Sequence, residues 1–263
     1  AAWLIQGALS LSPLQQAVNR SRPLTRKEAA EVATRVARRL KREPLQYILG
    51  TQEFCGLEFT VNPSVLIPRP ETELLISETI RRLPKLEESP VLIDVGTGTG
   101  CLAVTLARTM ARSNVFAIDN SCSALEMARQ NARRHGVERA ITWLEGDLLM
   151  PLSGRGLEGT VSAIISNPPY IRESEWPMLQ PEVRMYEPQA ALLAGPRGIE
   201  LHERLLREAV SYLAPGGLLV MEMGQGQSAE LAETVESMAA YGSVDVVPDE
   251  AGIDRVLIAE RAG

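Results

Sequence analysis

The spacing of apolar positions changes character along the chain. Val32, Val36 and Leu40 recur every four residues, the spacing of one helix face. Thr25-Arg26-Lys27-Glu28 stands before them as a capping box, with the Thr hydroxyl set to cap the Glu28 amide and the Glu to reach back to Thr25. Pro44 ends this helix. Across 51–67 the pattern turns to loose alternation, with Phe54, Leu57, Phe59, Val61, Val65 and Ile67 placed around Gly56 and Asn62-Pro63. That predicts a short β-hairpin linking two modules. Pro68 and Pro70 then stiffen an extended segment, and Leu74, Leu75 and Ile80 predict a helix from Thr72 onward. Beyond residue 90, strand candidates at 91–95, 115–118, 141–144, 161–166, 217–222, 244–247 and 255–259 alternate with helical segments. The expectation is an α/β domain with a mainly parallel sheet of seven strands. The chain divides into a helical module at 1–50, a hairpin linker at 51–67 and an α/β domain at 68–263.

Composition narrows the function classes. Hydrophobic residues make up 45% of 263 positions and charged residues 23%, enough apolar material for a core, so general disorder is excluded. The 20 Gly and 17 Pro follow no period, which excludes a collagen-like chain. A net charge of -6 excludes bulk binding of nucleic-acid backbone. The charge is uneven: residues 1–50 carry a balance of +6, so the rest is strongly acidic. Arg35, Arg38, Arg39, Lys41 and Arg42 supply much of that excess, either as a solvated helix face or as a surface that grips a partner. Cys55, Cys101 and Cys122 match no Cys-x-x-Cys spacing and read as reduced thiols in a cytoplasmic setting. With only His135 and His202 beside them, no metal site is expected. No apolar run approaches the ~20 residues of a membrane span. The start, Ala1-Ala2-Trp3-Leu4-Ile5, has no basic n-region and reads as a trimmed or mature fragment rather than a signal peptide.

Two motifs carry the chemistry. After the first strand, Asp94-Val95-Gly96-Thr97-Gly98-Thr99-Gly100 opens a helix. Glycines let a backbone turn tightly and approach a ligand closely. The spacing is G-x-G-x-G; the third glycine of a dinucleotide fingerprint would fall at Cys101, so the loop argues against NAD. Asp119 ends the second strand, about 20 residues on, where a carboxylate can accept from ribose hydroxyls. Asp147 follows the third strand as a second candidate. This set suits S-adenosylmethionine. Gly96, Thr97, Gly98, Thr99, Gly100, Asp119, Asp147, Leu148 and Asn167 are the expected cofactor contacts.

Ser166-Asn167-Pro168-Pro169-Tyr170 follows the fourth strand, and ligands of such sheets bind beyond the carboxyl ends of the strands. The Asn167 side-chain oxygen and the Pro168 carbonyl are acceptors for an NH2 group. The prolines stiffen both, and Tyr170 offers a flat face for a planar group. Such a site fits a planar nitrogen, either an amide or the exocyclic amine of a base. Its delocalised lone pair becomes reactive as two acceptors hold both N–H bonds and the nitrogen turns tetrahedral.

Taken together, the residues resemble the protein-(glutamine-N5) methyltransferases that modify peptide-chain release factors. The matching stretches are Arg42-Glu43-Pro44-Leu45-Gln46-Tyr47-Ile48-Leu49-Gly50, Leu66-Ile67-Pro68-Arg69-Pro70-Glu71-Thr72-Glu73, residues 94–100 and 165–171, Tyr186-Glu187-Pro188, and Asp254-Arg255-Val256. They span nearly the whole chain. Asn-Pro-Pro-Tyr alone is shared with amino-methylating DNA and RNA enzymes, and the Ile67 to Glu73 stretch narrows the choice. The resemblance implies a class I, Rossmann-like methyltransferase fold with a small N-terminal helical domain joined by a hairpin. It implies methylation of the glutamine in the Gly-Gly-Gln loop of class 1 release factors by S-adenosylmethionine, giving S-adenosylhomocysteine. Asn167, Pro168, Pro169 and Tyr170 would bind the glutamine amide, Arg69, Pro70, Glu71 and Thr72 would close over it, and the helical module would grip the release factor. A monomer is expected, with no direct nucleic-acid or membrane partner.

The chain also departs from that pattern. Leu148 follows Asp147 where many relatives carry Trp, and His202 stands where a Tyr is often found. His202 is expected to be an ordinary exposed helix residue, and the helical module looks short. A ribosomal-protein glutamine methyltransferase is the nearest alternative. An adenine-N6 nucleic-acid methyltransferase is further off, because base flipping calls for a recognition domain or a basic groove. A non-catalytic module that kept the fold is the third alternative, and the intact Asn167 to Tyr170 motif argues against it.

Overall fold

A computed structural model describes residues 2–19, 21–83 and 89–263. Ala1, part of the N-terminal reading, and Arg20, one of the counted cations, lie outside them. Four helices form the N-terminal module: α1 (Ala2–Leu9), α2 (Pro13–Val18), α3 (Arg26–Leu40) and α4 (Leu45–Leu49). Thr25 caps α3 as its sequence predicts: Thr25 Oγ1 accepts from the Glu28 amide at 3.2 Å, and Glu28 accepts from the Thr25 amide at 2.8 Å. Gly7 on α1 allows close packing, since a Cβ there would meet Leu49 of α4 and Arg35 of α3.

The apolar stripe predicted on α3 is not its packing face. Leu40 and Val36 are exposed, and α3 has no fully buried residue. The helix instead leans on its neighbours through Val32, Arg35, Arg38 and Arg39, all half-buried. Its cations are largely engaged within the chain. Arg35 pairs with Glu31, Arg38 with Glu43, and Arg39 and Arg42 both reach Glu182 at 2.9 Å.

The hairpin forms from β1 (Thr51–Phe54) and β2 (Leu57–Thr60). Its two turn residues, Cys55 and Gly56, have φ of 48° and 71°. Positive φ at both positions matches the right-handed twist of the flanking strands. The hairpin is pinned to the catalytic domain by Asn131, which is fully buried on α7 (Cys122–Arg134). The Asn131 side chain accepts from the Thr60 amide at 2.8 Å and donates to the carbonyls of Thr60 and Thr99.

The catalytic domain is built on a seven-stranded sheet in the order β10-β11-β9-β6-β3-β4-β5. Its strands are β3 (Val91–Val95), β4 (Asn114–Asp119), β5 (Ile141–Glu145), β6 (Val161–Ser166), β9 (Leu213–Glu222), β10 (Tyr241–Pro248) and β11 (Asp254–Arg261). β5 to β9 in that order are parallel, and β11 is antiparallel to both β9 and β10. Every residue of β6 is buried, Ser162 and Ser166 included, as in a strand covered on both faces. One face packs against α5 (Glu73–Arg82), α6 (Cys101–Thr109) and α7, through residues such as Leu75, Leu106 and Ala132. The other packs against α9 (Glu200–Ala209) and α10 (Ser228–Ser237), through Leu205, Leu206 and Leu231. A minor sheet pairs β7 (Ile171–Arg172) with β8 (Leu193–Gly195), and α8 (Pro181–Tyr186) lies between them in sequence. β3 lies between β4 and β6, where the strand order reverses, and the cleft of an open α/β sheet forms at that switch point. Among the described residues no helix is long and apolar enough to cross a membrane.

Candidate active site

The loop after β3 turns on three left-handed glycines, with φ of 73° at Gly96, 54° at Gly98 and 79° at Gly100. Backbone bonds hold it in place: the amides of Gly96 and Thr97 both donate to the Ile118 carbonyl at 2.9 Å. Gly100 caps α6 and faces α7, so a Cβ there would sit 3.0 Å from the Ala128 Cβ. Asp94 supports the loop from below. Its Oδ2 accepts from Thr97 Oγ1 at 2.6 Å and from the Ala103 amide at 3.0 Å, and burial pushes its pKa up to about 7. Asp119 stands opposite. One of its oxygens accepts from the Gly98 amide at 2.8 Å and the other from the Ser121 amide at 2.9 Å. Burial raises its pKa, and the same amides oppose that rise by stabilising the anion.

These residues border a cleft of about 210 Å³ at the carboxyl end of the sheet. Of the expected cofactor residues, Gly96, Gly98, Asp119, Asp147, Leu148 and Asn167 line it, as do Pro168 and Pro169. Thr97, Thr99 and Gly100 do not: both threonines are buried and bonded within the loop, and Gly100 points at α7. Asp147 holds Arg204 Nη2 at 2.7 Å on the rim. Leu148 has a φ of 45°, a left-handed conformation uncommon for a residue with a bulky side chain. Among the described residues the wall of the cleft contains Asp119 and Asp147 and no Lys, Arg or His.

Asn167 leaves the end of β6 and meets Thr72, which arrives from the other side of the sequence. Asn167 Nδ2 donates to Thr72 Oγ1 at 3.1 Å, and Thr72 Oγ1 donates to Glu222 Oε2 at 2.6 Å. The Tyr170 hydroxyl donates to the other Glu222 oxygen at 3.1 Å. Glu222, at the end of β9, is 1% exposed, and burial raises its pKa. Tyr170, expected to offer a flat stacking face, is half-buried and does not line the cleft, and its hydroxyl is tied to Glu222. Burial and the neighbouring Glu222 charge push its pKa well above the usual phenol range.

None of residues 69–72 lines the cleft, although Thr72 bonds Asn167 at its wall. Arg69 pairs with Glu187, whose other oxygen accepts from the Ile67 amide at 3.1 Å. Pro70 and Glu71 line a separate groove with Leu74, Ser77, Asp249 and Glu250. Thr72 is 2% exposed and acts through Asn167.

His202 overturns the expectation of an exposed residue. It is 0% exposed, because α9 packs that side against the sheet, and its Nε2–H donates to the Glu222 carbonyl at 2.8 Å. Nδ1 has no partner, and burial lowers the imidazole pKa to about 4.

Glu222, Glu187 and Asn131 were not singled out from the sequence. A carboxylate closing the apolar run Leu218-Leu219-Val220-Met221 is a readable signal for Glu222. Glu187 stands within a stretch that was recognised but given no role. Asn131 had no signal, since its partners lie in the hairpin and the glycine loop.

Comparison with known proteins follows the same lines. A family model described as Methyltransferase small domain matches residues 71–181, and one described as PrmC N-terminal domain matches residues 1–50. A release factor glutamine methyltransferase of Geobacter sulfurreducens is 45% identical over 258 residues, covering 97% of this chain and 86% of that protein. One from Chlorobaculum tepidum is 40% identical, covering 98% of this chain and 88% of that protein. Among solved structures, a methyltransferase from Pyrococcus furiosus superposes with a TM-score of 0.57 at 21% identity, over 88% of this chain and 100% of that one. A human methyltransferase 10 domain containing protein gives 0.58 at 16% identity, over 78% and 88%. At those identities the structures support the fold alone.

Proposed function

Because the chain belongs to the release factor glutamine methyltransferase family, we propose that it moves a methyl group from S-adenosylmethionine to a release factor, at the side-chain amide nitrogen of the glutamine in the Gly-Gly-Gln loop. The observation that carries this is the wall of the cleft: two carboxylates and no cation among the described residues, with Asn167 and Pro168 beside them. A pyrophosphate would face two carboxylates there, with the Arg204 guanidinium on the rim already paired to Asp147. A nucleoside bearing a sulfonium and an ammonium fits.

The donor set agrees. A Cβ at Gly96 would meet nothing within 4 Å, so the backbone faces open space. Each Asp119 oxygen accepts one backbone amide and keeps lone pairs for ribose hydroxyls. S-adenosylmethionine supplies an electrophilic methyl when bound. Asn167 gives its NH2 to Thr72, which leaves Oδ1 as an acceptor, and Pro168 adds a carbonyl. Two rigid acceptors can hold both N–H bonds of a glutamine amide and keep its lone pair aimed. Their grip strengthens as the nitrogen gains positive charge, which lowers the barrier rather than only the KM. The extra N–H proton leaves to solvent after transfer, so no side-chain base is required.

The test is transfer of labelled methyl from S-adenosylmethionine to purified class 1 release factor, with a Gln→Ala loop variant and a DNA duplex in parallel. Label on the wild-type release factor alone is expected. Label on DNA, or on the loop variant as strongly as on the wild type, would overturn the reading.

A further inference from the structure

We propose that Thr72 and Glu222 are positioning residues that decide which end of the Asn167 amide faces the substrate. The inference rests on the methyl-transfer reading above and deepens it. A carboxamide presents an acceptor at one end and a double donor at the other, and the two ends have nearly the same shape. Sterics alone would let Asn167 enter either way round. Only the oxygen-out orientation can receive the N–H bonds of a glutamine amide; the reverse sets donors against donors.

The hydrogen-bond chain behind Asn167 removes the choice. Thr72 has one hydroxyl proton, and its Oγ1 lies 2.6 Å from Glu222 Oε2. Where Glu222 is ionised its carboxylate can only accept, so that proton is committed to Glu222. Thr72 Oγ1 then offers Asn167 lone pairs alone. An inward Asn167 Oδ1 would face another acceptor with no proton between them; an inward Nδ2 donates across the observed 3.1 Å. Tyr170 donates to the second Glu222 oxygen, so the carboxylate is satisfied on both sides in a site closed to water. Arg255 adds a favourable field at Glu222 and Glu71 an opposing one, while His202 donates to the Glu222 carbonyl and not to its carboxylate. The chain thus converts a negative charge at the end of β9 into the orientation of a neutral amide at the end of β6.

The experiment compares Thr72→Val, Thr72→Ser, Glu222→Gln and the Thr72→Val/Glu222→Gln pair with the wild type. Readouts are kcat, S-adenosylmethionine affinity by calorimetry, and solvent exchange of the Asn167 side-chain amide protons by NMR. Thr72→Val should lower kcat by about 10- to 100-fold with cofactor affinity unchanged, and Thr72→Ser should stay within about 3-fold of wild type. The double variant should be no slower than the worse single one, because both break one chain. Asn167 amide exchange should rise about tenfold in Thr72→Val and stay slow in Thr72→Ser. A wild-type kcat in Thr72→Val, a Thr72→Ser as impaired as Thr72→Val, or losses that multiply in the double variant would overturn the proposal. The exchange measurement needs no substrate, so it decides the positioning role even where the wild type labels no release factor. That last result would refute the proposed function and not the amide chain.

Discussion

A buried neutral histidine makes stability depend on pH in a calculable way. His202 is 0% exposed, its Nε2–H donates to the Glu222 carbonyl, and its Nδ1 has no acceptor to receive a second proton. Burial therefore lowers its pKa from 6.5 to about 4. Between those values the unfolded chain binds the proton and the folded chain does not. Stability is then fully present above pH 6.5 and is lost as the pH falls toward 4. At about pH 5 the two binding polynomials differ by a factor of ~30, a loss of about 2 kcal/mol, rising to about 3 kcal/mol near the folded-state pKa. Asp94, raised to about 7, acts in the opposite sense: its folded form takes up a proton more readily and gains stability as the pH falls. Wild-type curves alone mix these effects, so the comparison must be with His202→Gln, which keeps an N–H donor and cannot titrate. Urea denaturation at about pH 7.5 and about pH 5 should show the wild type losing about 2 kcal/mol more than the variant. Equal losses in the two proteins would refute the claim that His202 is held neutral.

Three further outcomes are expected. Asn167→Ala should lower kcat by at least ~10²-fold while cofactor affinity changes far less, as calorimetry and steady-state kinetics would show together. Asp119→Ala should chiefly weaken S-adenosylmethionine binding, and an unchanged Kd would remove Asp119 from the ribose site. Gly100→Ala should destabilise the fold by about 1–3 kcal/mol in thermal melts, since φ is 79° and the new Cβ would press on Ala128.

The sheet was legible because buried parallel strands are written as short, mostly apolar segments, 161–166 among them with only two serines. The cleft followed from the glycine loop and the motif after β6, since both lie at carboxyl ends of adjacent strands. What the sequence could not show is the direction of each side chain. Thr97, Thr99 and Gly100 share a loop with Gly96 and Gly98, yet the turn sends them into the fold while the others border the cleft. On α3 the spacing of Val32, Val36 and Leu40 is regular, but Gly7 lets α1 come against the neighbouring Arg35 side instead. Glu222 and Thr72 are 150 positions apart, so their pairing is a product of topology that no local pattern encodes.

The segment between β7 and β8 joins the N-terminal module to the site. Glu182 on α8 takes Arg39 and Arg42 at the surface, and the Tyr186 hydroxyl donates to the Lys41 carbonyl at 2.7 Å. The Glu182 side chain is only 15% exposed, so these pairs are partly shielded from solvent. Glu187, five residues on, has a side chain only 2% exposed, and it holds both Arg69 and the Ile67 amide. A buried carboxylate without its cation would be strongly unfavourable, so this end cannot open without cost. Arg69 is therefore better understood as the clasp of the segment that delivers Thr72 than as a ligand for substrate. The chain from Glu187 through Arg69 and Thr72 holds Asn167 in place, and Tyr47 of α4 is buried in one cluster with Val65, Ala124 and Met127, so the module is seated on the same framework.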